Sequence, residues 1–138
     1  MYILSLSAAV FAATSVSCAG RSGDVKVAGQ LISLTDSLLQ NGGSDTLRFG
    51  RLHEGEMAVR RITLRNDTSE PTVIVTHETS CGCVTVSYER RPIMPAGSGE
   101  AEFVFDSRGE HGWQMKLITL RLGARAVPLR IFVEAEVE

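Results

Sequence analysis

The sequence predicts an all-β antiparallel sandwich of about seven strands, and three observations carry that expectation. Apolar and polar residues alternate with a period of two, turn-forming clusters interrupt the alternation, and no helical stretch lies between the alternating runs. The clearest run is VPLRIFVEAEVE, in which Val127, Leu129, Ile131, Val133, Ala135 and Val137 fall on one face while Arg130, Glu134, Glu136 and Glu138 fall on the other. That is a strand with one dry face. Phe132 interrupts the polar face, so a neighbour is expected to cover it in part.

The other strands are placed in the same way at residues 46–49, 59–65, 72–76, 83–88, 101–105 and 113–122. HEGE, NDTSEP, PAGSGE and DSRGEHG separate them, each rich in residues that reverse the chain. The alternation slips between Val59 and Ile62 and again between Leu117 and Ile118, which predicts a bulge at each place. Phe103, Phe105, Trp113, Leu120, Ile131 and Val133 supply the expected core, and Met57, Met94 and Met115 are expected to pack in it or at its rim.

A chain of 138 residues has the usual size of one domain. Hydrophobic residues make up 43% and charged residues 22%, and the formal charge of -2 offers no basic field to nucleic acid. A nucleic-acid partner is therefore not expected.

The first 18 residues, MYILSLSAAVFAATSVSC, hold an uncharged apolar run too short to span a bilayer, followed by small residues. They read as an export signal, although no Lys or Arg precedes the apolar run. Ser15-Val16-Ser17-Cys18 resembles the lipobox of bacterial lipoproteins, with Ser15 where leucine is favoured. The resemblance implies cleavage before Cys18 and its lipidation, hence attachment to a membrane of the cell envelope, in the periplasm or at the outer membrane; the alternative is ordinary cleavage near this point with Cys18 removed or left free, and either way the mature chain is exported. Residues 19–44 are expected to form a tether. Within it Leu31, Leu34 and Leu38 fit one face of a short helix, the same stretch also fits a strand, and NGGS marks the flexible end. The sandwich is then expected to cover residues 45–138.

From Asp45 onward the sequence also resembles a known family. Phe49-Gly50, Glu54-Gly55-Glu56, Asn66, Pro71, Ser80-Cys81-Gly82-Cys83, Pro92-Ile93 with Pro95 and Gly97, Phe105-Asp106 and Gly112 resemble the bacterial family called domain of unknown function fifteen seventy-three. The resemblance implies an immunoglobulin-like fold similar to the major-sperm-protein and ciliary ASH/Hydin-type domains, in exported and often lipid-anchored bacterial proteins. It implies no activity. NDTSEP stands where the family turns with Asn-x-Gly, and LRLGARAVP lacks the Asn-containing turn before the last strand.

The chemistry-bearing residues are Cys81 and Cys83. Two apart on an extended strand, they point to one side with α-carbons about 6.6 Å apart, near the upper end of the range a disulfide tolerates. A bend at Gly82 would bring the sulfurs together, and an oxidising compartment favours the bond. Three readings stay open: cysteines packed as a disulfide or as free thiols, a soft ion such as Cu(I) or Zn(II), and thiol exchange. For the metal, His77 shares the parity of both cysteines if the strand continues, with His53 or His111 needed to complete four ligands. Apart from that ion no cofactor is expected. For thiol exchange, the C-x-x-C spacing at a helix N-terminus is missing.

Catalytic patterns are otherwise absent. GSGE is not a G-x-S-x-G elbow, HEGEM lacks the second histidine of a zinc protease, and Asn66-Asp67-Thr68 is only a formal glycosylation sequon. The expectation is a non-enzymatic interaction or structural module of the envelope with a protein partner of unknown identity; the alternative is a metal-handling or thiol-redox protein. Ser80 and Gly82 in HETSCGC, and His111 and Trp113 in the next-to-last hairpin, are the candidate contact residues.

Overall fold

The computed structural model describes residues 29–138. The export-signal and Cys18 expectations fall outside this range. Eight strands build two four-stranded sheets packed face to face: β1 (Gln30–Leu34), β2 (Gly43–Leu52), β3 (Met57–Asn66), β4 (Ile74–Thr79), β5 (Val84–Tyr88), β6 (Ser98–Asp106), β7 (Gly112–Leu122) and β8 (Val127–Val137). One sheet has the order β1-β3-β6-β5 and the other β2-β8-β7-β4. Leaving β2 aside, these are the A-B-E-D and C-F-G orders of the immunoglobulin sandwich. β2 adds a fourth strand beside β8.

Two departures from the expected architecture occur at the start of the domain. The 19–44 tether is corrected, because β1 lies within it and pairs with β3 from Gln30↔Ile62 to Leu34↔Asn66, burying Ile32 and Leu34. A six-residue helix α1 (Asp36–Asn41) then carries the chain across to the second sheet. Thr35 caps it, its hydroxyl accepting from Leu38 N–H. Gly42 ends it at φ 81°, where a Cβ would meet Pro128 O at 2.7 Å. Leu31, Leu34 and Leu38 therefore share no helix face: the first two belong to a strand, and Leu31 faces solvent. The sandwich is also not wholly antiparallel, since β1–β3 and β2–β8 are parallel pairs. Both pairs are far apart in the chain: β3 follows β1 only after α1 and β2, and β8 follows β2 only after five further strands, as parallel neighbours, which no tight hairpin can join, require.

Burial follows the alternation. All six expected inward residues of β8 are buried, as are Phe103, Phe105 and Leu120. Phe49 meets Phe105 edge-on, ring centroids 5.9 Å apart. Trp113, Met57, Met94 and Met115 are corrected from core or rim to surface, with Trp113 58% exposed. The bulges also move. β3–β6 and β7–β8 keep continuous register through Val59 and Leu117, and the irregularities lie at Arg48/Gly50 and Ile74/Thr76. Val59 and Leu117 are outward residues that happen to be apolar. Next to Val59, Arg60 takes the inward phase, placing its guanidinium 5.5 Å over the Phe49 ring and donating to Phe49 O.

Each end of the sandwich is closed by a fully buried polar side chain. At one end Asn66 donates to Glu70 O and Ile93 O and accepts from Thr68 N–H and its hydroxyl, so every side-chain hydrogen-bonding position is filled. Its backbone joins Gly97 O and Ala96 N–H, which fixes PIMPAG against the end of β3. Asn66 is therefore closed to glycosylation in the folded chain. At the other end the Ser107 hydroxyl lies 2.8 Å from His53 O and 2.7 Å from Glu56 O, tying the β2–β3 turn to the end of β6.

Asn66→Ala takes one donor each from the Glu70 and Ile93 carbonyls, which keep Thr68 and Thr72, and removes the buried acceptor of Thr68; it is expected to lower stability by about 1–3 kcal/mol, read as a fall in urea midpoint at unchanged m-value. In the same assay Leu34→Ala is expected to cost about 2–4 kcal/mol and Leu31→Ala under about 0.5 kcal/mol. Equal, small effects at both leucines would contradict the placement of β1.

Candidate functional site

Strand β4 ends at Thr79, and the chain leaves the sheet at Ser80. Ser80 N–H donates to Leu117 O at 2.9 Å while its hydroxyl accepts from Leu117 N–H at 2.9 Å, so this residue is sewn to β7 by both groups. Cys81, Gly82 and Cys83 then form a turn before β5, held by Val84 N–H to Cys81 O and by Asp106 N–H to Cys83 O. The cysteines thus lie beside the strand rather than on it. Their α-carbons come to 5.2 Å, closer than extended backbone allows, and the sulfurs are joined as a disulfide. Gly82 lies outside the positive-φ region, and a Cβ there would meet nothing within 4 Å. Turning of the whole segment, and not a conformation reserved for glycine, brings the sulfurs together.

The disulfide is half-exposed and polarised. Cys83 N–H points at Cys81 Sγ over 3.0 Å. A Glu110 carboxylate oxygen lies within 4.8 Å of both sulfurs, and Lys116 Nζ pairs with that carboxylate at 3.2 Å. Nearby, Arg108 donates from its guanidinium and its backbone to Asp106 and holds that carboxyl below the usual carboxylate range. Because the ring spans only two positions of sequence, the chain-entropy model gives about 1.5 kcal/mol of stabilisation, against about 3 kcal/mol for a 15-residue loop.

His77 does not join this group. Its Nδ1 is 3.0 Å from the Tyr88 hydroxyl, with the two rings edge to face, so it bridges β4 to β5. The expected shared parity fails because the chain turns out of the strand after Thr79. Among the described residues, the set of metal-capable side chains that converges is Cys81, Cys83 and Glu110. Once reduced, that set offers two thiolates for a soft ion, or three of the four ligands of a tetrahedral zinc, without His77, His53 or His111.

The two candidate contact loops prove to be neighbours. Ser80 and Gly82 sit in the turn, His111 is exposed in the β6–β7 connection, which crosses between the sheets and is not the expected hairpin, and Trp113 stands on the outer face of β7. Trp113, Met115 and Leu117 follow one another along that face, and Leu117 opposes Phe132 of β8. β4 pairs with β7 only from Ile118 to Leu122, so beyond the Ser80 link the 113–116 segment has no strand on that side among the described residues. Leu117 turns its backbone groups toward Ser80, and by the period of two Trp113 and Met115 present theirs to the same open edge. Elsewhere, a groove of about 690 Å³ beside β5 carries charges that are partly matched, Arg61 to Glu102 and Arg91 to Glu89.

Fold and site together define an immunoglobulin-like sandwich with a C-x-C disulfide turn at one end. The chain belongs to the family described as Protein of unknown function (DUF1573), whose model matches residues 41–137. It is similar to a protein of unknown function from Porphyromonas gingivalis W83, with 25% identity and a TM-score of 0.57 over 67% of this chain and 44% of that one. This chain therefore spans less than half of that relative. It also shares the fold of part of the secreted serine protease VesC from Vibrio cholerae, with 9% identity and a TM-score of 0.50, covering 65% of this chain and 21% of the protease. No curated protein matches the chain in sequence.

Gly82→Ala is expected to leave the disulfide intact and stability within about 0.5 kcal/mol of the parent. By contrast, Gly97→Ala places a Cβ 2.9 Å from Met94 O and is expected to lower the melting temperature by several degrees. Thiol counting and thermal melts on both variants check the contrast.

Proposed function

We propose that this chain is an exported, lipid-anchored module of the cell envelope that binds a protein partner and performs no catalysis. Cys18 is the proposed anchor, and the apolar segment before it the export signal. The partner engages the outer face of β7. The observation that carries this reading is the exposure of Trp113 and Met115, at 58% and 46%, on a strand whose neighbouring edge has no partner among the described residues. Large apolar side chains left in water on a rigid sheet are the usual anchors of a protein contact. The free amide and carbonyl groups beside them suit an extended segment that adds as a strand, with main-chain bonds for affinity and the tryptophan for selection. Glu134 and Glu136 of β8 lie opposite Met115 and Trp113, with Arg48 paired to Glu134 and Arg51 in register with Glu136, so charges of both signs border the apolar pair.

Binding from envelope extracts, quantified for the parent, Trp113→Ala and Met115→Ser, tests the reading. Capture of one defined protein is expected to fall at least about ten-fold in the tryptophan variant, equivalent to a hot-spot loss of about 1.4 kcal/mol or more. Undiminished capture by both folded variants would place the contact elsewhere.

A further inference from the structure

We propose that Cys81–Cys83 is a thiol–disulfide exchange site with a set direction: an incoming thiolate attacks Cys83 Sγ, and Cys81 leaves as the thiolate. This is a stoichiometric exchange and not a catalysed turnover, so it stands beside the non-catalytic partner-binding reading, and it uses different residues.

Four observations carry it. First, the bond is not needed to hold the domain. It closes a ring of three residues within one turn and links neither sheet to the other, while Ser80 to Leu117, Val84 to Cys81 and Asp106 to Cys83 hydrogen bonds fix the same turn without it. Second, both cysteines are partly exposed, Cys83 packing against the core on one side only, so a thiol can approach the bond from solvent. Third, the two sulfurs differ. Cys83 N–H donates to Cys81 Sγ, and a donor aimed at sulfur stabilises its anion, which makes Cys81 the better leaving group. No matching donor to Cys83 Sγ is found among the described residues, and this sulfur is the electrophile.

Fourth, a carboxylate and an ammonium stand beside the reacting atoms. Glu110 lies within 4.8 Å of both sulfurs, and its negative charge opposes a thiolate arriving or leaving there. Lys116, paired with Glu110 in a half-buried position, offsets that charge. The pair therefore sets the rate without touching the bond.

The chemistry balances with a dithiol reductant. Its thiolate forms a bond to Cys83 Sγ as the Cys81–Cys83 bond breaks, leaving Cys81 as a thiolate. The second thiol of the reductant then attacks its own sulfur in the mixed disulfide and releases Cys83. Two electrons and two protons pass to the protein, and the reductant becomes a disulfide. Run in reverse, the site oxidises a dithiol.

The test uses the oxidised full chain carrying Cys18→Ser, so that no third thiol intervenes. Reduced glutathione is added in native buffer, the reaction is quenched with an alkylating agent, and peptide mapping locates the adduct. The expected result is glutathione on Cys83 and the alkyl group on Cys81, in at least about five-fold excess over the opposite arrangement. An adduct on Cys81, equal adducts on both, or no reaction until denaturant is added would overturn the proposal. Glu110→Gln is expected to speed the exchange severalfold and Lys116→Met to slow it; unchanged rates in both folded variants would remove the pair from the mechanism. Full reduction is expected to preserve the β-sheet circular dichroism, and unfolding on reduction would make the bond structural. A parallel arm with a reduced C-x-x-C oxidoreductase at equal thiol concentration separates the two sources of attacking thiol: a rate at least about ten-fold above glutathione assigns a protein donor, and a lower one assigns small thiols.

Discussion

The sandwich rests on one constraint: strands that bury a side chain at every second position must give each backbone amide and carbonyl a partner, including where the strands stop. Within the sheets the ladders satisfy it. At the two ends they cannot, and there the chain places Asn66 and Ser107, both fully buried. Asn66 uses its donors on Glu70 and Ile93 and its acceptor on Thr68, so loops that would need water are held dry. Ser107 has one hydroxyl proton to share between the carbonyls of His53 and Glu56, and its backbone N–H also donates to Glu56 O. These two side chains allow a sandwich to close without a covalent tie between its sheets.

That closure frees the cysteines. In a domain whose core already contains Phe49, Phe103, Phe105 and the inward residues of β8, a disulfide spanning two positions adds little to the fold. The turn instead brings together groups from three parts of the chain: the sulfurs, the Glu110–Lys116 pair, and, through the Ser80–Leu117 link, the segment of β7 that carries Trp113. The proposed exchange site and the proposed binding face thus sit at one end of the molecule. Rigid strands supply the positions, and the loops between them supply the reactive groups.

How much of this was legible in the chain follows from what a period of two can and cannot say. VPLRIFVEAEVE named its own buried face because polar residues mark the other one. In GWQMKLITLRL both parities carry apolar residues, and the sheet alone decided that Ile118, Leu120 and Leu122 turn inward while Trp113 and Met115 stay in water. The bulge at Arg48/Gly50 went unseen because Gly50, whose φ of 78° serves it, reads like any loop glycine. For a related reason β1 stayed one of two readings of its stretch, helix or strand, inside an expected tether. A five-residue strand with two buried positions lacks enough repeats to stand out from a Gly- and Ser-rich approach.

By itself the sequence determined the all-β class, most of the strands, the inward face of the last one, and the nearness of Cys81 to Cys83, since all of these are local properties of side-chain order. Tertiary structure decided what depends on distant partners: the parallel seating of β1 and β2, the bonding of His77 to Tyr88 rather than to metal or sulfur, and the meeting of Glu110 with the disulfide turn. Alternation fixes which way a residue points relative to its neighbours in the chain. It carries no information about which other strand arrives opposite, and that arrival, imposed by the shared core, placed the charges beside the sulfurs.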